Sequence, residues 1–280
     1  MKTVLITGCS SGFGRGMVDE FLRRGWFVIA TMRNAEERQG LLAEPIHHHG
    51  DRLSIVSLDV TDADQRDAVV EVVRRHGRLD CLVNNAGDRV FGALEDLSET
   101  QLCYQMRVNF FGAAFLTRSL LPDLRASQGT IIFVSSTFGY MGFPLTSAYC
   151  ASKFALEGLA ESLHYELKPH GVDVALIEPG ASKTNFGQGA KWANGSAAPY
   201  RNQTKSYHRL KERLSLRATN NTPYVARIAA NLAERKKRQL RVRVGQDAAI
   251  AHLFIRLVPR GWQIRILNQI YQQLFFQEGR

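Results

Sequence analysis

The sequence predicts an α/β protein with one doubly wound parallel sheet, helices on both faces and a single domain. Three observations carry this. Strand-length apolar runs alternate with longer amphipathic stretches from the first residue on. The runs lack the polar–apolar alternation of a half-exposed strand. A glycine-rich turn, Thr7-Gly8-Cys9-Ser10-Ser11-Gly12-Phe13-Gly14, joins the first run to the first amphipathic stretch. Strands covered on both faces read as continuous apolar runs, and repeated βαβ order builds a parallel sheet.

Taken in order, the strand-like runs are 3–6, 27–31, 53–58, 79–83, 130–135 and 172–177. Between them, 14–24, 63–76, 99–126 and 147–169 read as helices; the last places Leu156, Leu159, Leu163 and Leu167 at helical spacing. The pattern changes after Pro179. Residues 185–203, rich in Gly, Ala and Asn, have no period and read as a loop. Thr222-Pro223 then starts a helix to about Lys237, with a hydroxyl N-cap and proline in the first turn. Leu240–Val244 reads as a last strand closed by Gly245, and 247–277 as one or two amphipathic helices. The predicted division is a catalytic domain over 1–245, with a substrate loop at about 185–221, and a basic helical extension over 246–280.

The chain has 280 residues, 45% hydrophobic and 22% charged, with a formal net charge of +10, which excludes disorder, collagen and coiled coil as the main state. Residues 1–200 hold 19 Lys and Arg against 22 Asp and Glu, whereas residues 201–280 hold 17 against 4. A near-neutral body with a basic tail points to a surface or an acidic partner for the tail alone. Cys9, Cys81, Cys103 and Cys150 lack zinc or redox spacing and read as reduced thiols. His47-His48-His49 reads as a solvated loop, because adjacent histidines rarely converge on one ion; no metal site is expected. The apolar start is too short for a signal peptide, and the longest apolar stretch, Ala248–Val258, is broken by His252 and Arg256. A soluble cytoplasmic protein is expected.

The glycine turn lies at the first strand–helix junction, where backbone can approach a pyrophosphate seated on a helix N-terminus. The second strand ends in Met32-Arg33 instead of the acid that holds ribose hydroxyls, so NADP(H) is favoured over NAD(H), with Arg33 facing the 2′-phosphate. Asp59, followed by Val60, offers a carboxylate to an adenine amino group; an N-cap role for Asp59 or Asp62 is the equally simple reading. Ser136 ends a strand, and Tyr149 and Lys153 lie four apart on one helix face. An ammonium beside a phenol lowers its pKa, which suits proton exchange with a carbonyl or alcohol oxygen held by the serine.

At this point the sequence resembles the short-chain dehydrogenase/reductase family over nearly its whole length. The motifs are Thr7, Gly8, Gly12 and Gly14; Asn84-Asn85-Ala86-Gly87; Asn109; Ser136; Tyr149 with Lys153; and Pro179-Gly180 followed by Thr184. The resemblance implies a Rossmann-like fold and a catalytic tetrad of Asn109, Ser136, Tyr149 and Lys153. In that scheme Lys153 also contacts the nicotinamide ribose and Asn109 holds a relay water. Gly8, Ser10, Ser11, Gly12, Phe13 and Gly14 would hold the cofactor, with Asn85, Ala86 and Gly87 lining it. Pro179, Gly180, Ser182 and Thr184 would meet the nicotinamide end. Residues 30–33, 141–144 and 149–159 are similar to the branch with estradiol 17β-hydroxysteroid dehydrogenase and photoreceptor retinol dehydrogenase, which implies a hydrophobic alcohol or ketone. Two positions depart from the pattern. Ser11 replaces the basic residue of many NADP-preferring members, and Ser182 replaces an aliphatic one.

On the substrate side, Phe186, Trp192 and Tyr200 form either an apolar lid or incidental aromatics on a loop. Phe138, Tyr140, Met141 and Phe143 are either the near wall of a pocket or core. The segment 248–277 mixes large apolar residues with arginines. Two readings of it are open: a cap over the substrate site or a subunit interface, and peripheral attachment to an anionic membrane. The expected protein is an NADP(H)-dependent oxidoreductase of a steroid-, retinoid- or lipid-like substrate, forming dimers or tetramers. The alternative is a cofactor-binding scaffold of the same fold. Nucleic acid is not an expected partner.

Overall fold

A computed structural model describes residues 1–182, 190–217, 221–234 and 239–276. Seven parallel strands lie in the order β3-β2-β1-β4-β6-β7-β9: β1 (Thr3–Thr7), β2 (Phe27–Met32), β3 (Leu53–Ser57), β4 (Cys81–Asn84), β6 (Thr130–Val134), β7 (Asp173–Pro179) and β9 (Arg241–Val244). A two-residue pair, β5 (Val90–Phe91) with β8 (Lys191–Trp192), lies apart from the sheet. The main helices are α1 (Gly12–Arg23), α4 (Ala63–His76), α5 (Glu99–Met106), α6 (Gly112–Ser127), α7 (Ser147–Leu167), α8 (Arg201–Arg217), α9 (Thr222–Ala233), α10 (Gln246–Leu257) and α11 (Arg260–Phe276). Two short helices, α2 (Ala35–Arg38) and α3 (Ala43–His49), follow β2.

The central strands are apolar on both faces because both faces are covered. Val4, Ile6, Val28 and Ile132 pack with Met17, Val18 and Phe21 of α1 and Val225 and Ala229 of α9. Leu5, Ile29, Leu82 and Ile131 face Val69 of α4, Leu116 and Leu120 of α6 and Leu156 of α7. Each large apolar side chain buried this way contributes about 1.5–3 kcal/mol. The order reverses between β1 and β4, so a crevice opens at their carboxyl ends, where doubly wound sheets bind ligands.

Several expectations are corrected. The stretch 99–126 is interrupted by a π-helical turn, Arg107–Phe111, that carries Asn109. The histidine run ends helix α3 instead of lying in a loop, with His49 Nδ1 2.8 Å from an Arg52 guanidinium nitrogen. The substrate segment is largely helical from Arg201 to Arg217, and Tyr207 and Leu210 on this helix join the aromatic cluster. Asn221, without a side-chain cap bond, precedes α9, and Thr222 is its first residue.

The basic tail is tied into the body. Arg241 on β9 pairs with Glu157 at 3.0 Å and Glu161 at 2.7 Å on α7, and Arg243 with the fully buried Glu178 at 3.3 Å. Burial, then the nearby Glu157, pushes Glu178 up to about 7 against the pull of the two arginines. The dense run 235–238 lies outside the described residues. No helix among those described is long and apolar enough to cross a membrane.

Candidate active site

The β1–α1 turn is shaped for close backbone approach. Gly8 has φ +74, and a Cβ on Gly14 would stand 2.3 Å from the Gly8 carbonyl oxygen. Asn85 Nδ2 donates to the carbonyls of Thr7 at 2.8 Å and Gly8 at 3.2 Å, while Thr7 Oγ1 accepts from the amides of Asn85 and Ala86. The Asn85–Gly87 loop therefore braces the turn. Ser11 precedes α1 in extended backbone and makes no side-chain cap, so the first-turn amides and the helix dipole suit a phosphate. Ser10 and Gly12 complete this turn, whereas Phe13 packs against the core.

Cys9 donates its amide to the Thr31 carbonyl at 2.8 Å, which draws the turn against the end of β2. Arg33 is exposed just beyond that end. Asp59 Oδ1 accepts from the amide and hydroxyl of Thr61, and Asp62 caps α4 through the Gln65 amide. Val60 is buried against Gly112.

Ser136, Tyr149 and Lys153 meet at the carboxyl end of β6. Tyr149 is 4% exposed, with Ser136 near enough to act on its phenol. The Ser136 hydroxyl also accepts from the Phe138 amide at 3.3 Å. Lys153 Nζ lies 5.9 Å from the Tyr149 ring centre and donates to the Val134 carbonyl at 2.8 Å. Burial, then the charge of Arg89, lowers the Lys153 pKa to about 8. The expectation of a depressed phenol is not met. Burial raises the Tyr149 pKa and outweighs the lowering by Arg89 and by Ser136.

Asn109 is buried in the π turn, a distortion common at functional sites. Its Oδ1 accepts from the Asp88 amide at 2.8 Å, and its Nδ2 donates to the Asp88 carbonyl and Ser152 Oγ, each at 3.0 Å. Asn109 thus pins the 85–88 loop to the helix carrying Tyr149 and Lys153.

The Pro179–Ser182 segment is held from the tail. Gly180 donates its amide to Val244, Ala181 donates to Asp247 Oδ2 at 2.6 Å, and Ser182 Oγ accepts from Asn221 at 3.3 Å. Thr184 and Phe186 lie outside the described residues. Phe138 stands edge-on to Tyr149 at 6.0 Å and stacks on Phe143 at 5.8 Å. Phe143 then meets Tyr207 of α8 and Tyr271 and Phe275 of α11, and Tyr271 donates to the Gly142 carbonyl. Trp192 and Tyr200 join this cluster, so α8 and α11 cover its outer side. Sequence reasoning missed Arg89, whose Cζ lies 6.0 Å from the Tyr149 ring centre; its only sequence signal is its place two residues after Gly87.

The short chain dehydrogenase family profile matches residues 2–193. The chain is 34% identical over 280 residues to the uncharacterized oxidoreductase YusZ of Bacillus subtilis, covering 96% of this chain and 99% of that one. It is 38% identical to 3-ketodihydrosphingosine reductase of Bacteroides thetaiotaomicron, over 66% of this chain and 65% of that one. With human retinol dehydrogenase 8 the identity is 37%, over 66% and 60%. A short-chain dehydrogenase structure from Streptomyces avermitilis superposes with TM-score 0.81 at 34% identity, covering 97% of this chain and 95% of that one. ElxO, whose structure holds bound NADP, gives TM-score 0.69 at 27% identity, over 87% and 95%. Together with the parallel sheet, the braced glycine turn and the joined Ser136, Tyr149 and Lys153, these matches establish that the chain belongs to the short-chain dehydrogenase family of oxidoreductases.

Proposed function

We propose that this chain interconverts a hydrophobic alcohol and its ketone or aldehyde, with NADP(H) preferred to NAD(H). The observation that supports it most is the meeting of Ser136, Tyr149 and Lys153 at the carboxyl end of β6, with the Lys153 ammonium 5.9 Å from the Tyr149 ring centre and Ser136 near enough to act on the phenol. When bound, the nicotinamide supplies or accepts the hydride. Tyr149 gives its phenolic proton to the carbonyl oxygen in reduction and takes it back in oxidation. Ser136 holds that oxygen, and Lys153 offsets the charge left on the phenol. Gly8, Ser10, Ser11, Gly12 and Gly14 would hold the pyrophosphate, with Asn85, Ala86 and Gly87 alongside. Pro179, Gly180 and Ser182 would flank the nicotinamide.

The apolar substrate class is supported by the Phe138–Phe143–Tyr207 wall, and by relatives named for ketodihydrosphingosine and retinol. Arg33 supports the cofactor preference, because a guanidinium suits a 2′-phosphate and a charged hydrogen bond contributes about 1.5–3 kcal/mol. The test is oxidation of NADPH and of NADH against steroid, retinoid and long-chain carbonyls. NADPH should be preferred about 10- to 100-fold in KM, and Arg33→Ala should erase the difference. Equal use of both cofactors rejects the preference. Oxidation of neither rejects the activity.

The arrangement also bears on partners. Exposed Phe111, Phe115, Phe154 and Tyr165 on the π turn, α6 and α7 support pairing of two copies there. On α10 and α11, exposed Ile250, Leu253, Leu257, Trp262 (59% exposed) and Ile264 accompany Arg256, Arg260 and Arg265, which supports contact with an anionic membrane surface. Sedimentation tests both: alone, the protein should run as a dimer or tetramer, and with anionic vesicles it should pellet. A single-chain mass rejects pairing. Pelleting unchanged by Trp262→Glu with Leu257→Glu rejects the membrane face.

A further inference from the structure

Ser136 heads a short 3-10 turn, Thr137–Gly139. The Phe138 amide donates to Ser136 Oγ at 3.3 Å, and the Gly139 amide to the Ser136 carbonyl at 2.9 Å. The far end of this turn rests on Glu157 of α7. Gly139 lacks the positive φ that calls for glycine. Yet a Cβ there would stand 2.9 Å from Glu157 Cγ, 3.1 Å from its Oε1 and 2.7 Å from Ser135 Oγ. Glycine is needed for space, because the Glu157 side chain takes the place that a side chain at 139 would fill.

Glu157 is buried, and its own position is fixed from the last strand. Its Oε2 accepts from Arg241 Nε on β9 at 3.0 Å. The same guanidinium reaches Glu161 at 2.7 Å and the fully buried Glu178 at 3.5 Å. A planar guanidinium shared among carboxylates of α7 and β7 has little freedom, so it holds the carboxylate it binds. Glu157 Oε1, the carboxylate oxygen on the Gly139 side, has no hydrogen-bond partner among the described residues. Contacts therefore run without a break from Arg241 through Glu157 and Gly139 to the serine.

We propose that Glu157 is a positioning residue for the reaction: clamped by Arg241, it sets the turn that places the Ser136 hydroxyl, without itself touching substrate or cofactor. This inference rests on the oxidoreductase reading for what Ser136 does, but not for how Ser136 is placed.

Substitutions in the full chain test it. Glu157→Ala removes the support, and Gly139→Ala drives a methyl into it. Each should lower kcat about ten- to a hundred-fold, the scale of a misplacement near 1 Å, with NADPH affinity, followed by its fluorescence, unchanged. Glu157→Ala combined with Gly139→Ala should be faster than either alone. The methyl then fills the space that the carboxylate left, and Ser135 Oγ, which has no partner among the described residues, can turn aside. Added to Ser136→Ala, Glu157→Ala should cost less than about two-fold more, since the hydroxyl it places is gone. Glu161→Ala, which takes a half-exposed partner from the same arginine, should leave kcat unchanged. Where Glu157→Ala fails to fold, Gly139→Ala carries the comparison with Ser136→Ala. A full further loss on top of Ser136→Ala overturns the inference, as does a combined variant no faster than the single ones. Crystal structures of the single variants give a readout that needs no turnover: Ser136 Oγ should move by about 1 Å. An unmoved Ser136 overturns the inference. A displaced Ser136 in a protein that reduces no carbonyl sustains the placement and counts against the oxidoreductase reading alone.

Discussion

Tyr149→Phe is expected to lower kcat by about 10³-fold, the middle of the range for losing a positioned acid–base group, with cofactor affinity retained. The substitution removes one hydroxyl and keeps the ring that packs edge-on against Phe138. Ser136, the neighbour that lowers the phenol, still accepts from the Phe138 amide in the variant. Steady-state kinetics and a fluorescence titration of NADPH together check it. A variant retaining a tenth or more of wild-type turnover would show that another group moves the proton.

Lys153→Met is expected to cost about 10²-fold or more in kcat and to change the shape of the pH profile. Reduction of a carbonyl needs a neutral Tyr149 and a charged Lys153, so both groups must carry their protons. Burial and Arg89 bring the lysine down to about 8, while burial moves the phenol upward. The lysine therefore loses its proton first. The wild-type reduction rate should be level on the acid side and fall as pH rises through about 8. In the variant that alkaline limb should vanish or move to the higher pH at which the phenol ionises. A limb that stays near 8 in Lys153→Met would assign it to a different group. Oxidation, which needs the phenol as base, should instead gain with rising pH.

The strands and the chemical motifs were legible because their signals are local. The central strands are apolar throughout since both faces are covered, and the turn from Thr7 to Gly14 declares itself by glycines within eight residues. Tyr149 and Lys153 share a face because helical periodicity puts positions four apart together. Helix α8 went unread although Tyr207, Leu210 and Leu214 recur at i, i+3 and i+7, because the Gly- and Ala-rich stretch before it marked the whole segment as a loop. The π turn at Asn109 left no mark either, because it arises where Asn109 must meet Asp88 and Ser152 at once.

The basic tail shows the same division. Its composition marked a charge excess, but not where the charges go. Arg241 and Arg243 are spent on Glu157, Glu161 and Glu178, and Asp247 holds the amide of Ala181. The tail is thus part of what shapes the Pro179–Ser182 segment. On the last two helices Arg256, Arg260 and Arg265 face outward among exposed apolar residues.

By itself the sequence determined the α/β class, the parallel sheet, the glycine turn and the spacing of Ser136, Tyr149 and Lys153, all of which follow from periodicity and short-range chemistry. Tertiary structure decided the electrostatics. The Tyr149 phenol is raised instead of lowered, Lys153 falls to about 8, and Arg89 stands 6.0 Å from the ring. The physical reason is that a pKa depends on burial and on charges brought from distant parts of the chain. Arg89 reaches the Tyr149 ring only because the β4–β5 loop and α7 converge at one end of the sheet.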